Sequence, residues 1–361
     1  MNALTRQIQE EIRLSGAVSF ARFMELALYA PGLGYYERRR EIGRDGDFFT
    51  SVSVGPLFGQ LLAFQFAQWM DAECPAGGLQ FIEAGPHDGV LAADILAWTR
   101  QWRPDLFARL EYGLVEASPV RQACQEETLR SCLPKVKWAP NIQSMGERSV
   151  TGIIFSNEFL DALPVHRLAW SATRQEWQEG FVAVEGGAFK WEWRPPAGEL
   201  MAHTPQIPGE LARVLPDGFM VEVCPAAVAW WRAAASILGR GKLLTMDYGL
   251  GAEEQFLPER AQGTLRAFRR HHASADLLSQ PGEQDLTAHV NFSALMKTGG
   301  AAGLRTEALQ RQSQFLTEIL ARARLAAGSF EPWDQKRTRQ FQTLTHPEHL
   351  GHKFQVLIQC R

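Results

Sequence analysis

From about residue 79 the chain alternates short apolar runs with helical patterns: LQFIEA (79–84), a helix over 89–102, YGLVEA (112–117), a helix over 119–130, VKWA (136–139) and GIIFSN (152–157). The rhythm resumes at GKLLTMDYG (241–249) and closes at FQVLIQ (354–359). Strand-length apolar runs separated by helix-length crossovers predict a parallel, doubly wound α/β sheet of the Rossmann-like kind, with right-handed connections. No other feature constrains the fold as tightly. It also points to a site, because ligands of such sheets gather outside the carboxyl ends of the strands, where the strand order reverses.

The flanking segments read differently. Residues 3–14 and 20–29 are predicted helices, the second capped by Ser19, with Phe20, Phe23, Met24, Ala27 and Leu28 on one stripe and a stop at Ala30-Pro31-Gly32. A long glycine-punctuated loop over 34–55 precedes a helix that opens at Pro56 and carries Leu57, Leu61, Leu62, Phe66 and Trp69. Loops of that length are more often functional than not. Residues 166–195 switch to near-alternation and predict an inserted antiparallel β-hairpin, followed by a strand and a helix over 219–238. The expected organisation is an N-terminal helical extension with a lid loop (1–72) and a main domain (73–361). That domain is interrupted by the hairpin insert (166–218) and by a second insert on the substrate side (250–300). Six of the 11 tryptophans (Trp170, Trp177, Trp191, Trp193, Trp230 and Trp231) fall in or just after the hairpin, predicting an auxiliary hydrophobic surface beside the active site, for insert packing or partner contact.

Composition narrows the function classes. A chain of 361 residues, 45% hydrophobic and 21% charged, can bury a full core. Lys+Arg at 37 against Asp+Glu at 40 leaves a net charge of −3, so there is no bulk basic field to draw the protein onto nucleic acid or anionic lipid. The five cysteines (Cys74, Cys124, Cys132, Cys224 and Cys360) are odd in number and lack CxxC or Cys/His spacing, which argues against a disulfide framework and a zinc site and for a reducing, cytoplasmic setting. The opening residues lack a signal-like apolar stretch, and no run approaches the 18 apolar residues of a membrane span. His271-His272 reads as a solvated basic turn rather than a metal site. No GxSxG, HExxH or Walker pattern appears, which disfavours acyl transfer, zinc proteolysis and NTPase chemistry.

Three strand ends carry candidate chemistry. FIEAGPHDGVLAADIL ends a strand at Glu83, turns through Gly85-Pro86-His87-Asp88-Gly89 and enters a helix at once. Glycines there let the backbone approach a nucleotide-like ligand, and the helix N-terminus offers unpaired N–H groups. A bare strand-to-helix turn also needs glycine, so this motif alone is weak. LVEASP (114–119) places Glu116 where a carboxylate can accept ribose hydroxyls, although it follows Glu83 by 33 residues rather than the roughly 20 usual in a dinucleotide fold. IIFSNEFLDALPVH (153–166) puts Asn157, Glu158 and Asp161 just past the fourth strand, facing the glycine turn across the expected crevice or, alternatively, serving as local caps.

At these residues the chain resembles the MidA-type S-adenosylmethionine-dependent methyltransferases, a family that includes a mitochondrial protein-arginine methyltransferase needed for respiratory complex I assembly. The resemblance rests on Glu83-Ala84-Gly85-Pro86 to Gly89, Glu116-Ala117-Ser118-Pro119, Ser156 through Pro164 and Asp247-Tyr248-Gly249. It extends to Ala30–Tyr36, Gly46-Asp47-Phe48-Phe49-Thr50-Ser51, Gly263–Phe268 and Gln284–Phe292. Coverage is nearly end to end, and the asparagine–glutamate–aspartate block is far more specific than the glycine turn.

The resemblance implies a class I methyltransferase sheet and S-adenosyl-L-methionine as cofactor. Its cofactor-binding residues would be Glu83, Gly85, Pro86, His87, Gly89, Glu116, Ser118, Asn157, Thr50 and Ser51, with Asp47, Thr50 and Ser51 on a lid. It implies no metal. The acceptor would be a protein, most plausibly an arginine, with Glu158, Asp161 and Asn157 as catalytic residues and Asp247 and Asp285 as second choices. A charged guanidinium has no free lone pair, so carboxylates must orient it. One departure stands out: the family pattern is glycine-proline-glycine-x-glycine, and here His87 replaces the middle glycine with Asp88 beside it. A Cβ and an imidazole then stand where the cofactor's methionine end passes, unless His87 turns its ring to solvent. Alternatives are a methyltransferase on another acceptor, a catalytically idle assembly factor and a dinucleotide-dependent oxidoreductase. The oligomeric state stays open, a homodimer among the options.

Overall fold

The computed structural model describes residues 2–37, 50–74, 76–269, 272–274, 276–326 and 328–361. By its internal contacts the chain divides into two compact units, one of Met1–Arg40, Asp161–Ala229 and Gly249–Ala294, the other of Glu41–Leu160, Trp230–Tyr248 and Leu295–Arg361. The units interleave along the sequence, so they do not follow the expected cut at residue 72. The physical reason lies in the helix Leu57–Glu73 (α1), which buries 11 of its 17 residues and so belongs inside a core rather than in an extension.

The second unit is the doubly wound sheet. Its strands, in chain order, are β1 (Leu79–Ala84), β2 (Leu110–Val115), β3 (Val136–Ala139), β4 (Val150–Asn157), β5 (Leu238–Leu250), β6 (Arg305–Arg311) and β7 (Phe354–Cys360). They lie side by side as β6-β7-β5-β4-β1-β2-β3. The first five run parallel, and β7 runs antiparallel to both β5 and β6. The order reverses at β1, which pairs with β2 on one side and β4 on the other, Ala84 standing opposite both Val115 and Ser156. That reversal is where such a sheet opens a ligand crevice.

Helices α2 (Val90–Trp102), α3 (Pro119–Thr128), α4 (Gln312–Leu325) and α5 (Gln335–Thr345) complete the unit. Burial on both faces explains the continuous apolar runs: all seven residues of β7 and seven of eight in β4 are buried. At the centre an aromatic cluster packs Phe66 of α1 on Phe81 and Phe155 (ring centroids 5.4 and 5.1 Å), with Tyr112 edge-on to both strand rings at 6.4 Å. Each such ring contributes roughly 1.5–3 kcal/mol of burial. Trp231 is fully buried and donates its Nε1–H to Gln359 Oε1 of β7 at 2.8 Å.

The first unit begins with the two expected helices, Ala3–Ser15 and Phe20–Tyr29, and Ser19 Oγ accepts the Arg22 N–H as predicted. The expected hairpin is larger than two strands. His166–Ser171, Glu176–Glu185 and Ala188–Arg194 form an antiparallel meander, which Val18–Ser19 and Met220–Val223 extend to five strands. A lone hairpin is marginal in water, so the sheet recruits distant segments to bury its inner face. Trp170 and Trp177 pack at 5.3 Å inside that unit's core with Leu168, Leu215, Phe219 and Val221. The expected tryptophan surface is therefore corrected: Trp170, Trp177, Trp230 and Trp231 are buried core residues, and Trp191 stacks on Trp193 at 5.8 Å and against Phe20 at 5.0 Å. The aromatic excess serves packing.

Candidate functional site

Within the sheet unit, the carboxyl ends of β1, β2 and β4 carry the residues that the sequence singled out. β1 ends in Glu83 and Ala84, and the chain then turns through Gly85 at φ +67°, His87 at +48° and Gly89 at +83° into α2. Gly85 has a steric reason as well as a conformational one. A Cβ there would lie 2.6 Å from the Phe159 ring, which covers the turn and packs edge-on against Trp230 at 5.4 Å. Gly89 N–H bonds Pro86 O at 2.8 Å, closing the turn.

Glu83 is only 3% exposed and accepts the Tyr112 hydroxyl at 2.6 Å. Burial pushes its carboxyl up to about 7, against the lowering effect of the Tyr112 bond and with a further push from Asp88. The carboxyl is thus a buried, hydrogen-bonded group rather than a solvated strand end.

His87 turns only part of its ring to solvent, its side chain being 25% exposed. Its Nε2 is buried and has no hydrogen-bond partner among the described residues, while Nδ1 lies 3.5 Å from Asp88 Oδ1. Burial holds the imidazole below its usual pKa, Asp88 opposes that and the Arg121 charge reinforces it. Asp88 Oδ1 also lies 3.4 Å from the Val90 N–H at the start of α2, which has Gly89 at its N-cap position.

Glu116, at the end of β2, is held from two sides: Oε1 accepts the Ser118 N–H at 2.8 Å and Oε2 accepts Gln125 Nε2 at 3.1 Å. Ser118 caps α3 through the Arg121 N–H, its Oγ thereby taken up locally. Sequence reasoning missed Gln125. Fully buried, it joins three strand ends by donating also to His87 O at 2.8 Å and accepting from Trp138 Nε1 at 2.8 Å. Its helical spacing from Ser118 was the available signal. Tyr112 was missed for the ordinary reason that a tyrosine in an apolar strand reads as core.

The β4 end holds the strongest group. Asn157 is 9% exposed and donates Nδ2 to Glu158 Oε1 at 3.1 Å, leaving its own Oδ1 buried without a partner among the described residues. Glu158 adopts φ +51°, a strained backbone for a glutamate, and its Oε1 also accepts the Ser51 N–H at 2.9 Å. The fully buried Asp247 of β5 fixes this turn: Oδ2 accepts the N–H groups of Phe159 and Leu160 at 3.2 and 2.9 Å, and Oδ1 that of Tyr248 at 2.9 Å. The expected orienting role of Asp247 is thus corrected, because its oxygens are committed to backbone donors.

The loop residues divide. Thr50 and Ser53 cap each other's backbone N–H groups, and the fully buried Ser51 directs its hydroxyl to Gln312 at 3.2 Å. Ser51 reaches Glu158 through its backbone N–H. Asp47, with Gly46, Phe48, Phe49 and His271, lies outside the described residues.

Asp161 falls in the other unit. It is 6% exposed, its main-chain O accepts the Ala288 N–H at 2.9 Å, and its charge is felt by Tyr36, whose hydroxyl donates to Asp285 at 2.7 Å. Asp285, 2% exposed, has the structural part that was its alternative reading. In the same unit the 263–268 and 284–292 blocks meet at a small cavity lined by Glu222, Thr264, His289 and Asn291, where Glu222 Oε2 accepts both Thr264 N–H and Oγ1–H at 2.7 and 2.9 Å. Among the described residues no group of three or more metal-ligating side chains assembles, and no helix is long and apolar enough to cross a membrane.

These features fit S-adenosylmethionine. Glu116 is tied to the glycine turn through Gln125, and His87 Nε2 and Asn157 Oδ1 are buried without a partner among the described residues. Comparison with known proteins agrees. Residues 61–310 match a family described as "Putative S-adenosyl-L-methionine-dependent methyltransferase". A Burkholderia thailandensis protein, a likely methyl transferase by its description and bound to S-adenosyl-homocysteine, is 34% identical over 99% of this chain and 92% of its own, with a TM-score of 0.84. Protein arginine methyltransferase NDUFAF7, mitochondrial, from Xenopus tropicalis is 30% identical over 83% of this chain and 72% of its own length. Its Homo sapiens counterpart is 29% identical over 97% and 82%. These relatives are named mitochondrial, which overturns the cytoplasmic expectation. That expectation rested on unpaired cysteines, and reduced thiols report redox state rather than compartment. By matched length, by identity and by the architecture of its crevice, the chain belongs to this family of S-adenosyl-L-methionine-dependent methyltransferases.

Proposed function

We propose that this methyltransferase modifies the side chain of a protein arginine and that Glu158 is the carboxylate that presents the guanidinium. The observation that carries the reading is the Glu158 turn: a glutamate held at φ +51° at the switch point of the sheet, its Oε1 anchored by Ser51 N–H and Asn157 Nδ2. Strain of roughly 1–3 kcal/mol persists only where the surroundings enforce it, and here Asp247 does so from below. The arginine-methyltransferase names of the relatives support the same acceptor.

The bound cofactor supplies a methyl group on a sulfonium, ready for in-line displacement. The chain supplies alignment, which accounts for several kcal/mol in such reactions. Glu158 accepts an N–H of the guanidinium and turns one nitrogen toward the methyl carbon. With the cofactor bound, as an N–C bond formed and the S–CH3 bond broke with its electron pair left on the neutral thioether, Glu158 would stabilise the charge on the acceptor and take the proton that nitrogen releases. Asn157 is a positioning residue that fixes the Glu158 rotamer. The net charge of −3 supports an acceptor protein recognised locally rather than a nucleic acid.

Glu158→Gln tests the assignment. The amide oxygen keeps the bonds from Ser51 and Asn157, so affinity for S-adenosyl-homocysteine changes less than about threefold while turnover falls about 10²-fold or more. Unchanged turnover refutes the role of Glu158.

A further inference from the structure

In the glycine turn after β1 the structure leaves one side chain, His87, with an unfilled bond among the described residues. His87 occupies a left-handed conformation, φ +48°, that a glycine would take freely and that histidine adopts uncommonly. Its Nδ1 faces Asp88 Oδ1 at 3.5 Å, which favours the tautomer with the proton on Nδ1 and leaves Nε2 as a lone-pair acceptor. That acceptor is buried and unpartnered among the described residues. Asn157 Oδ1 is a second buried acceptor of the same kind, at the end of the neighbouring strand, where Ala84 of β1 lies opposite Ser156 of β4. Leaving a buried acceptor unpaired is unfavourable, so two at neighbouring strand ends call for a ligand rich in donors. The alkylammonium of an amino acid, with three N–H bonds and a positive charge, is such a group.

We propose that His87, as a neutral imidazole, accepts an N–H of the cofactor's protonated amino group through Nε2, so that proton uptake by His87 and cofactor binding exclude each other. This rests on cofactor use by the family and not on the identity of the methyl acceptor. A protonated ring would turn its acceptor into a donor and set a cation against a cation. The histidine would then convert an unconditional cofactor site into one that empties as the pH falls.

The groups facing His87 set the sign. Asp88 on its own turn favours the charged ring, while burial and Arg121 on α3 favour the neutral one and prevail. Glu116 of β2 is tied to the turn through Gln125, and Glu83 of β1, close to Asp88, titrates at about 7 and adds its own pH dependence. A variant that removes only the imidazole separates the two. Asn tolerates positive φ and cannot take a proton, so His87→Asn is the informative replacement, with His87→Gly as a second that restores the family pattern.

Calorimetric titration of the full chain with S-adenosyl-homocysteine between pH 5 and 8 reads the effect. The wild type is expected to lose affinity by up to tenfold per pH unit below the His87 pKa, in excess of any slope in the variants, and both variants are expected to bind at pH 8 with a shallower profile. Equal slopes in wild type and variants overturn the role of His87 and leave the methyltransferase reading standing. Absence of binding in the wild type at every pH overturns both. Thermal melts of the variants at pH 8 confirm that each is folded.

Discussion

Replacing Asp247 by alanine should unmake the catalytic turn without touching any residue proposed to meet the acceptor. The side chain is fully buried, and its oxygens accept three backbone N–H bonds, from Phe159, Leu160 and Tyr248. Alanine leaves those donors without their acceptor in a site closed to water. Each unsatisfied buried donor costs about 1–3 kcal/mol, and relaxation at the adjacent Tyr248 recovers part of the sum. The expected loss is about 3–5 kcal/mol, a third or more of a typical stability, and the strained Glu158 backbone relaxes with it. Asp247→Asn keeps one acceptor oxygen and turns the other into a donor facing the Tyr248 N–H, so about 1–2 kcal/mol is expected. Urea unfolding at constant m-value measures the stability, and calorimetry with S-adenosyl-homocysteine measures the crevice. An Asp247→Ala protein within 1 kcal/mol of wild type, with intact turnover, would falsify the view that this carboxylate holds Glu158 in place.

Two further substitutions probe the sheet. Glu83 titrates at about 7 in the fold against 4.5 for an ordinary glutamate, so the native state binds the extra proton and stability falls as pH rises through that window. Glu83→Gln removes the penalty: equal stability is expected near pH 4.5 and a gain on the order of 2–3 kcal/mol at pH 8, alongside weaker cofactor binding. A flat difference between the two pH values would refute the raised titration. Trp231→Phe deletes the Nε1–H bond to Gln359 and leaves a void in a fully buried site, so thermal unfolding should show a loss of about 2–4 kcal/mol. A loss below 0.5 kcal/mol would mean that the bond adds nothing to the packing.

The parallel sheet was legible because its strands are buried on both faces and so read as uninterrupted apolar runs, each bounded by turn residues. The strand ends were legible for the same reason: Glu83, Glu116 and Asn157-Glu158 are the first polar residues after apolar stretches. The sequence was silent on what each polar side chain touches. Asp247 looked like a second orienting acid until its oxygens proved to be filled by backbone donors. Ser51 looked like a cofactor ligand, although its hydroxyl points to Gln312 and only its N–H serves Glu158. Tyr112 was invisible because a buried polar residue in an apolar strand gives no outward sign of its partner, and Gln125 looked like one more polar residue of a polar helix. Alternation over 166–195 identified antiparallel pairing, but pairing with Val18–Ser19 and Met220–Val223 is long-range and leaves no local trace.

The most direct measurement uses methyl-labelled S-adenosylmethionine, the full-length protein and a protein extract as acceptor, with fragment-ion mass spectrometry to place the label. The account predicts label on arginine side-chain nitrogens, lost with Glu158→Gln while S-adenosyl-homocysteine still binds. Label confined to other residue types, or no transfer by a protein that binds the cofactor, would contradict it.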